Sequence, residues 1–332
     1  MANQIIFSAT ITPANTAMEV TINGGTTFTD LAFTTVGGVQ QGTLTGVPSA
    51  TYSAGQLIMR CKTTTSVSAT NLGQVTVAAV DVAAQAAATF ISAAGLTVQA
   101  QKDAITQLCV DFQAAGFFAA GKSYAYWPVV GGTANAHSRN LFNPSLFQID
   151  FTTSVATHDA FGFVPSATAV ASTNFLGSRD WVGNTLSLAY YSRTQSAVDN
   201  WDMGSLESGT TVQALIIRRA NGFSGSDIGD DGSLASRTET DSRGLFVGSR
   251  TSPTANNLYK NGAVVATSTI ATPTPSTRGP QAFGIGGVIG TNSYVGTKQC
   301  AGAGIFSGLS ATEVSALYTA VQKFNTALLR QV

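Results

Sequence analysis

At 332 residues the chain has room for two ordinary domains or one large β-domain. Lys plus Arg equals Asp plus Glu at 17 each, only 10% of residues are charged and no dense basic run appears, so a nucleic-acid partner is not expected. The longest weakly polar run, residues 75–94, is Ala-rich and carries Asp81 and Gln85, which argues against a membrane span.

The first 77 residues read as short strands. Ile5-Ile6-Phe7, Met18-Glu19-Val20-Thr21-Ile22 and Leu57-Ile58-Met59-Arg60-Cys61 are β-prone runs. Asn23-Gly24-Gly25, Gly37-Gly38 and Ser53-Ala54-Gly55 punctuate them as turns. The spacing predicts a small antiparallel sandwich or barrel over 1–77. A helical pattern follows over 81–93, with Asp81 as N-cap, Phe90 and Ile91 on one face, and Gly95 as the stop. A second helix is predicted over 99–115. There Ile105, Leu108, Cys109 and Phe112 recur at helical spacing, and Gly116 ends it. This pair reads as a helical linker over 78–120.

From Tyr124 to about Ile305 the pattern is β again. Asn184-Thr185-Leu186-Ser187-Leu188-Ala189-Tyr190-Tyr191 alternates, and 211–218 and 244–248 are further strand candidates. Leu258-Tyr259 and Ala263-Val264-Val265 flank Lys260-Asn261-Gly262, where Asn-Gly favours a tight hairpin. Residues 282–287 and 302–306 complete the set. Many strands without intervening helices predict a β-sandwich or jelly roll over 121–332. Ser310-Ala311-Thr312-Glu313 is a capping box opening a helix over 310–330, with Val314, Leu317, Tyr318, Val321, Phe324 and Leu328 along one stripe. The fold class expected is therefore mainly β: an N-terminal β-unit, a helical linker, and a C-terminal sandwich closed by a helix.

Residues 81–332 resemble bacteriophage virion proteins with a concanavalin-like, laminin-G-like jelly roll. The resemblance lies in Asp81, Ala84, Phe90, Ala93-Ala94-Gly95, Ala104-Ile105 and Leu108. It continues in Trp127-Pro128-Val129-Val130-Gly131-Gly132-Thr133-Ala134 with His137 and Asn140-Leu141, then Tyr190-Tyr191-Ser192-Arg193-Thr194 and Asp241-Ser242-Arg243-Gly244. Leu309-Ser310, Leu317-Tyr318 and Val321-Gln322 close it. The pieces occur in the right order. The resemblance implies a surface-exposed virion component of capsid-decoration or head-fibre type. Residues 1–77 would dock to other virion proteins, and many copies would act as a homo-oligomer. A tail or baseplate adhesin binding host-surface glycans is the alternative. Met1-Ala2-Asn3-Gln4 has no basic region or cleavage site, so synthesis in the host cytoplasm and assembly into the virion are expected.

The sequence does not read as an enzyme. Concanavalin-like glucanases are similar to one another in a Glu-x-Asp motif followed by a second Glu, the two glutamates working as a nucleophile and acid pair. Glu239-Thr240-Asp241 begins such a motif, but Ser242, Arg243 and Gly244 follow it. The alternative reading is a turn in which Asp241 and Arg243 pair. The two histidines, His137 and His158, come with no Gly-x-Ser-x-Gly elbow. Cys61, Cys109 and Cys300 lack metal spacing and read as buried small residues. For sugar stacking, the candidates are Trp181 beside Asp180 and Trp201 beside Asp202, against a core role for both rings. Asp227, Asp230 and Asp231 crowd one Gly-rich stretch. They read either as a Ca2+ loop or as a solvated surface loop; no other cofactor is expected.

Overall fold

The computed structural model describes the backbone of the strands within residues 1–80. It also describes residues 81–332, apart from 153–155, 166–167, 182, 207–210, 231–233, 272–280 and 291–293. The chain forms two compact units, Met1–Val82 and Ala83–Val332.

Within residues 1–80 the described strands are β1 (Gln4–Ala9), β2 (Met18–Thr21), β3 (Thr29–Leu31), β4 (Phe33–Val36), β5 (Val39–Thr45), β6 (Ala50–Tyr52), β7 (Ile58–Cys61), β8 (Ala69–Asn71) and β9 (Val75–Val77). They pair antiparallel in the orders β1-β5-β4, β3-β2-β7-β8 and β6-β9. Of the β-prone runs, Ile5-Ile6-Phe7, Met18–Thr21 and Ile58–Cys61 lie in these strands, while Ile22, Leu57 and the turns read at 23–25, 37–38 and 53–55 lie outside the described residues.

The second unit opens with two helices. In α1 (Val82–Ala94) the buried residues are Ala83, Ala86, Ala87, Phe90 and Ala94, one stripe at helical period. It stops at Gly95, whose φ of 67° is the left-handed geometry of a helix end. In α2 (Gln99–Ala114) the buried set is Ala104, Ile105, Leu108, Cys109 and Phe112, and Gly116 at φ 80° ends the following turn. Both stripes are packed into the core of this unit with Tyr126, Val247, Leu245 and Phe306. The helices read as a linker over 78–120 are therefore a structural layer of the second unit.

The rest of that unit is a sandwich. Its strands are β10 (Ser123–Trp127), β11 (Thr157–Asp159), β12 (Gly162–Val164), β13 (Ala171–Leu176), β14 (Leu186–Ser192), β15 (Met203–Leu206), β16 (Thr211–Ile216) and β17 (Phe223–Asp230). They continue as β18 (Ala235–Thr238), β19 (Gly244–Ser252), β20 (Ala255–Lys260), β21 (Ala263–Ser268), β22 (Ala282–Ile285), β23 (Gly287–Gly290), β24 (Tyr294–Val295) and β25 (Cys300–Phe306). One sheet runs β11-β12-β25-β14-β19-β20-β21, with β10 also on β25. The other runs β18-β17-β16-β15-β23-β24. Pairing is antiparallel except for β15 with β23. Short turns α3 (Ala134–His137) and α4 (Gly177–Asp180) interrupt the strands, and α5 (Ala311–Ala327) closes the unit.

Alternation along β14 explains the layering. Leu188 and Tyr190 enter the core between the two sheets, with Phe246, Leu215, Ile217 and Ile228. Ala189 and Tyr191 enter a second core, where α1, α2 and α5 cover the other face of the larger sheet. Every residue of β14 and β25 is buried for this reason. A buried Leu or Phe side chain contributes about 2 kcal/mol of burial free energy, so these two cores dominate the stability.

The capping box of α5 is present: the Ser310 side chain accepts from the Glu313 N–H, and the Glu313 carboxylate accepts from the Ser310 N–H. Val314, Leu317, Val321 and Phe324 are buried as the stripe requires, and Tyr318 and Leu328 lie partly buried at its margin. Just beyond the helix, the fully buried Arg330 guanidinium donates to the carbonyls of Val129, Pro128 and Ala301 and to Asn325 Oδ1. Burial lowers its pKa to about 10. The hairpin turn is also as read: Asn261 at φ 50° and Gly262 at φ 81° join β20 to β21.

Candidate functional site

The carboxylates that suggested a glucanase are framework. Glu239 is 2% exposed, and its oxygens accept from Arg237 at 2.6 Å, Lys260 at 3.1 Å and the Thr240 and Asp241 N–H groups. Burial would raise its pKa, but the Asp241 N–H, Lys260 and Arg237 together hold it below the usual value. Asp241 instead turns toward Arg243, at 3.0 Å, the ion pair expected of a turn. Nothing leaves Glu239 a free oxygen for acid chemistry.

The two tryptophans differ from a sugar platform in opposite degrees. Trp181 is 3% exposed within the intersheet core, and its Nε1–H donates to the Thr185 carbonyl. Asp180 is the brace of the same turn, accepting from the Leu176 N–H and from Arg179. Burial of the Trp181 ring corrects the expectation of a stacking face there. Trp201 is half-buried against Leu206, Val212, Ala214 and Val288. Its neighbour Asp202 is fully buried and paired to Lys298 at 3.1 Å, so it faces no surface ligand.

The described part of the aspartate-rich stretch, up to Asp230, is strand. Asp227 lies inside β17, 8% exposed, and the backbone of Asp230 ends that strand. The Asp230 side chain and the whole of Asp231 lie outside the described residues. Among the described residues no three His, Cys, Asp or Glu side chains converge as a metal site requires. Cys109 and Cys300 are buried free thiols, each raised by burial to about 12, and so are poor nucleophiles.

The histidines, far apart in sequence, meet in the fold. His137 closes α3 and is fully buried; its Nδ1 lies 2.9 Å from His158 Nδ1. His137 Nε2 accepts from the Gly132 N–H at 3.1 Å. An imidazole nitrogen that accepts carries no proton, so His137 holds its proton on Nδ1 and donates it to His158. Burial first, then His158 and Arg330, depress His137 to about 3. Burial also lowers His158, against the opposing pull of Asp159.

Phe151, which packs on His158, also lines a groove of about 490 Å³ together with Asn135, Ser138, Gln148, Asp150 and Asn174. One wall is α3 and its exit, positioned by the Thr133 side chain, which accepts from the Ala136 N–H. The floor is β13, where Asn174 adopts φ 56° within a register shift between Ser172 and Leu176. Asn174 Nδ2 donates to the Gln148 carbonyl, and Asp150 N–H donates to the Ser172 carbonyl. Asp150 Oδ1 accepts from both the N–H and the hydroxyl of Thr152, and the hydroxyl bond, then the N–H bond, hold its pKa low. Phe151 stands edge-on to His158, centroids 4.6 Å apart. The groove therefore presents amides, an ionised carboxylate and one half-buried ring. None of its residues was singled out from sequence, because residues 134–174 reach one place only through three separate loops and a bulge.

No protein-family model matches the chain, and no curated protein does. Solved structures resemble it distantly. A mutant Trypanosoma rangeli sialidase displaying trans-sialidase activity is 9% identical with a TM-score of 0.43, covering 81% of this chain and 43% of that one. A botulinum neurotoxin type C structure, whose cell entry depends on two ganglioside molecules, is 10% identical with a TM-score of 0.43, covering 63% and 53%. Domain 4 of AbnA, an extracellular GH43 arabinanase from Geobacillus stearothermophilus in complex with arabinotriose, is 14% identical with a TM-score of 0.38, covering 59% and 98%. The chain spans less than half the length of the sialidase chain. These likenesses are remote similarities in β-architecture, and the functional reading rests on this chain's own residues.

Proposed function

We propose that this chain is a structural protein of a bacteriophage virion surface, of capsid-decoration or head-fibre type, whose jelly roll acts by non-covalent recognition. The observation that supports it is the use made of the titratable side chains. Glu239, Asp202, His137 and Arg330 all serve the framework, while the open groove offers amides, a carboxylate and a ring, a surface suited to binding. The order of the residues in which the sequence resembles virion jelly rolls points the same way. In this reading the β-unit Met1–Val82 docks to neighbouring virion subunits, by side-chain packing and strand addition at a sheet edge. Copies of the second unit then face outward as a homo-oligomeric array, and weak contacts to neutral host glycans add up by multivalency.

Reconstruction of purified particles by cryo-electron microscopy tests this reading. Density for the jelly roll on the capsid lattice supports it. Density at the tail or baseplate supports the adhesin reading, which the polar groove beside Phe151 favours. Particles lacking the chain altogether overturn both.

A further inference from the structure

The core of the second unit holds a trio whose chemistry goes beyond bracing the framework. Asn200 and Asp202 precede and adjoin β15, and Lys298 precedes β25. All three are buried: Lys298 and Asp202 are 0% exposed and Asn200 is 2%. Lys298 Nζ lies 3.2 Å from Asn200 Oδ1, 3.1 Å from Asp202 Oδ1 and 3.5 Å from Asp202 Oδ2. Asp202 Oδ2 is fixed by the Ile217 N–H at 2.8 Å, and the lysine's own carbonyl is fixed by the Tyr190 hydroxyl at 2.6 Å. Asn200 Nδ2 is buried with no hydrogen-bond partner among the described residues. An amide donor left unsatisfied in a core is costly, which makes its retention there informative.

We propose that Lys298 and Asn200 condense to an intramolecular isopeptide bond, with Asp202 as the proton shuttle. An amine, a carboxamide and a carboxyl group held together away from water are the components of such a transfer. The Asp202 carboxylate takes a proton from the Lys298 ammonium, which a low-dielectric site favours because two charges become none. Burial, the largest influence on Asp202, raises its affinity for that proton, against Lys298 and the Ile217 N–H. The neutral Nζ then attacks Asn200 Cγ. The Nζ–Cγ bond forms, the Cγ–Nδ2 bond breaks, and Nδ2 leaves as ammonia. One Nζ proton passes to the departing nitrogen, and Asp202 returns its proton to give ammonium. Lysine ammonium plus asparagine amide thus becomes a secondary amide plus ammonium, with no oxidant or cofactor. Fixed proximity supplies the rate enhancement. The unsatisfied Nδ2 is the leaving group, and its departure removes the unpaired donor.

The bond would tie the start of β15, in the smaller sheet, to the start of β25, in the larger. Two sheets otherwise held by packing and by hydrogen bonds such as Arg250 to the Ile228 carbonyl would gain a covalent strut.

Intact mass spectrometry of the purified full chain tests this, followed by tandem sequencing of a proteolytic digest. The expected result is a mass one ammonia below that of the sequence, with the segments bearing Asn200 and Lys298 recovered as one branched peptide. Lys298→Arg keeps the charge beside Asp202 but removes the nucleophile, so it should run at full mass. Asp202→Asn should do the same or condense far more slowly. Ring closure at Asn261-Gly262 also releases ammonia, but it would map to that dipeptide and persist in Lys298→Arg. A wild-type chain at full mass, or an ammonia loss mapping elsewhere, overturns the proposal. Should either variant fail to fold, the branched peptide from the wild-type digest decides alone.

Discussion

Single residues carry a large share of this fold's order. Arg330 satisfies three main-chain carbonyls and Asn325 at once, including that of Val129, a β-branched residue at φ 48°. Replacing Arg330 by Ala should destabilise the second unit by about 3 kcal/mol, because buried acceptors lose a charged donor. Lys should rescue little, since its single ammonium cannot reproduce the fork. Urea unfolding of both variants measures this. Glu239 makes a pH prediction. Its folded pKa is depressed, so its contribution is complete above its ordinary value of 4.5 and fades as pH falls through the lower folded value. Glu239→Gln should therefore lower stability at neutral pH and flatten its acid limb, with glycan-hydrolase activity absent from both proteins. The histidine pair adds a separate slope. Both rings are depressed, His137 to about 3, so the unfolded chain binds more protons below pH 6.5. Stability should fall from pH 6.5 toward 3, and His158→Gln should reduce that slope in denaturation curves.

At the level of elements, local grammar was legible and long-range company was not. Helices α1, α2 and α5 announced themselves through the spacing of Phe90, Ile105, Leu108 and Leu317, and the β20–β21 turn through Asn261-Gly262. Adding a Cβ at Gly262 would strain its φ of 81° and crowd Tyr318 at 3.1 Å. Gly262→Ala should thus cost about 1 kcal/mol or somewhat more, read from the thermal midpoint. Truncating Leu317 to Ala, in the α5 stripe, should cost about 3 kcal/mol by leaving a cavity. What the sequence hid was the helix layer. Strand β14 reads as alternating, yet both its faces are buried, because Ala189 and Tyr191 look apolar or amphipathic whether they meet water or a helix. The groove and the Lys298 cluster were hidden for a related reason. Asn200 and Lys298 are 98 positions apart, and nothing local links them. Trp181 was misleading because an aromatic beside a carboxylate looks alike in a core turn and in a binding site.

For the whole molecule, the division at Val82 and Ala83 gives the organisation its sharpest test. Residues 83–332 expressed alone should unfold cooperatively in calorimetry, whereas a fragment starting at residue 121 should aggregate, since it exposes the core that α1 and α2 cover. In the proposed virion reading, the 83–332 fragment should stay soluble yet fail to join particles. Incorporation at the normal level would remove the docking role from the first unit.

The pairing of β10 with β25 and the Arg330 anchor have a consequence for synthesis. A ribosome makes residue 123 long before it makes residue 306, so β10 waits for β25, β14 waits for both of its neighbours, β19 and β25, and the larger sheet waits for α5. The sandwich can close only after most of it has been translated, and such non-local topologies close slowly. An interrupted chain ending before β25 therefore shows an unpaired strand edge and bare apolar faces. Such an intermediate is aggregation-prone, so the order of the strands leaves every incomplete copy exposed until translation is nearly finished.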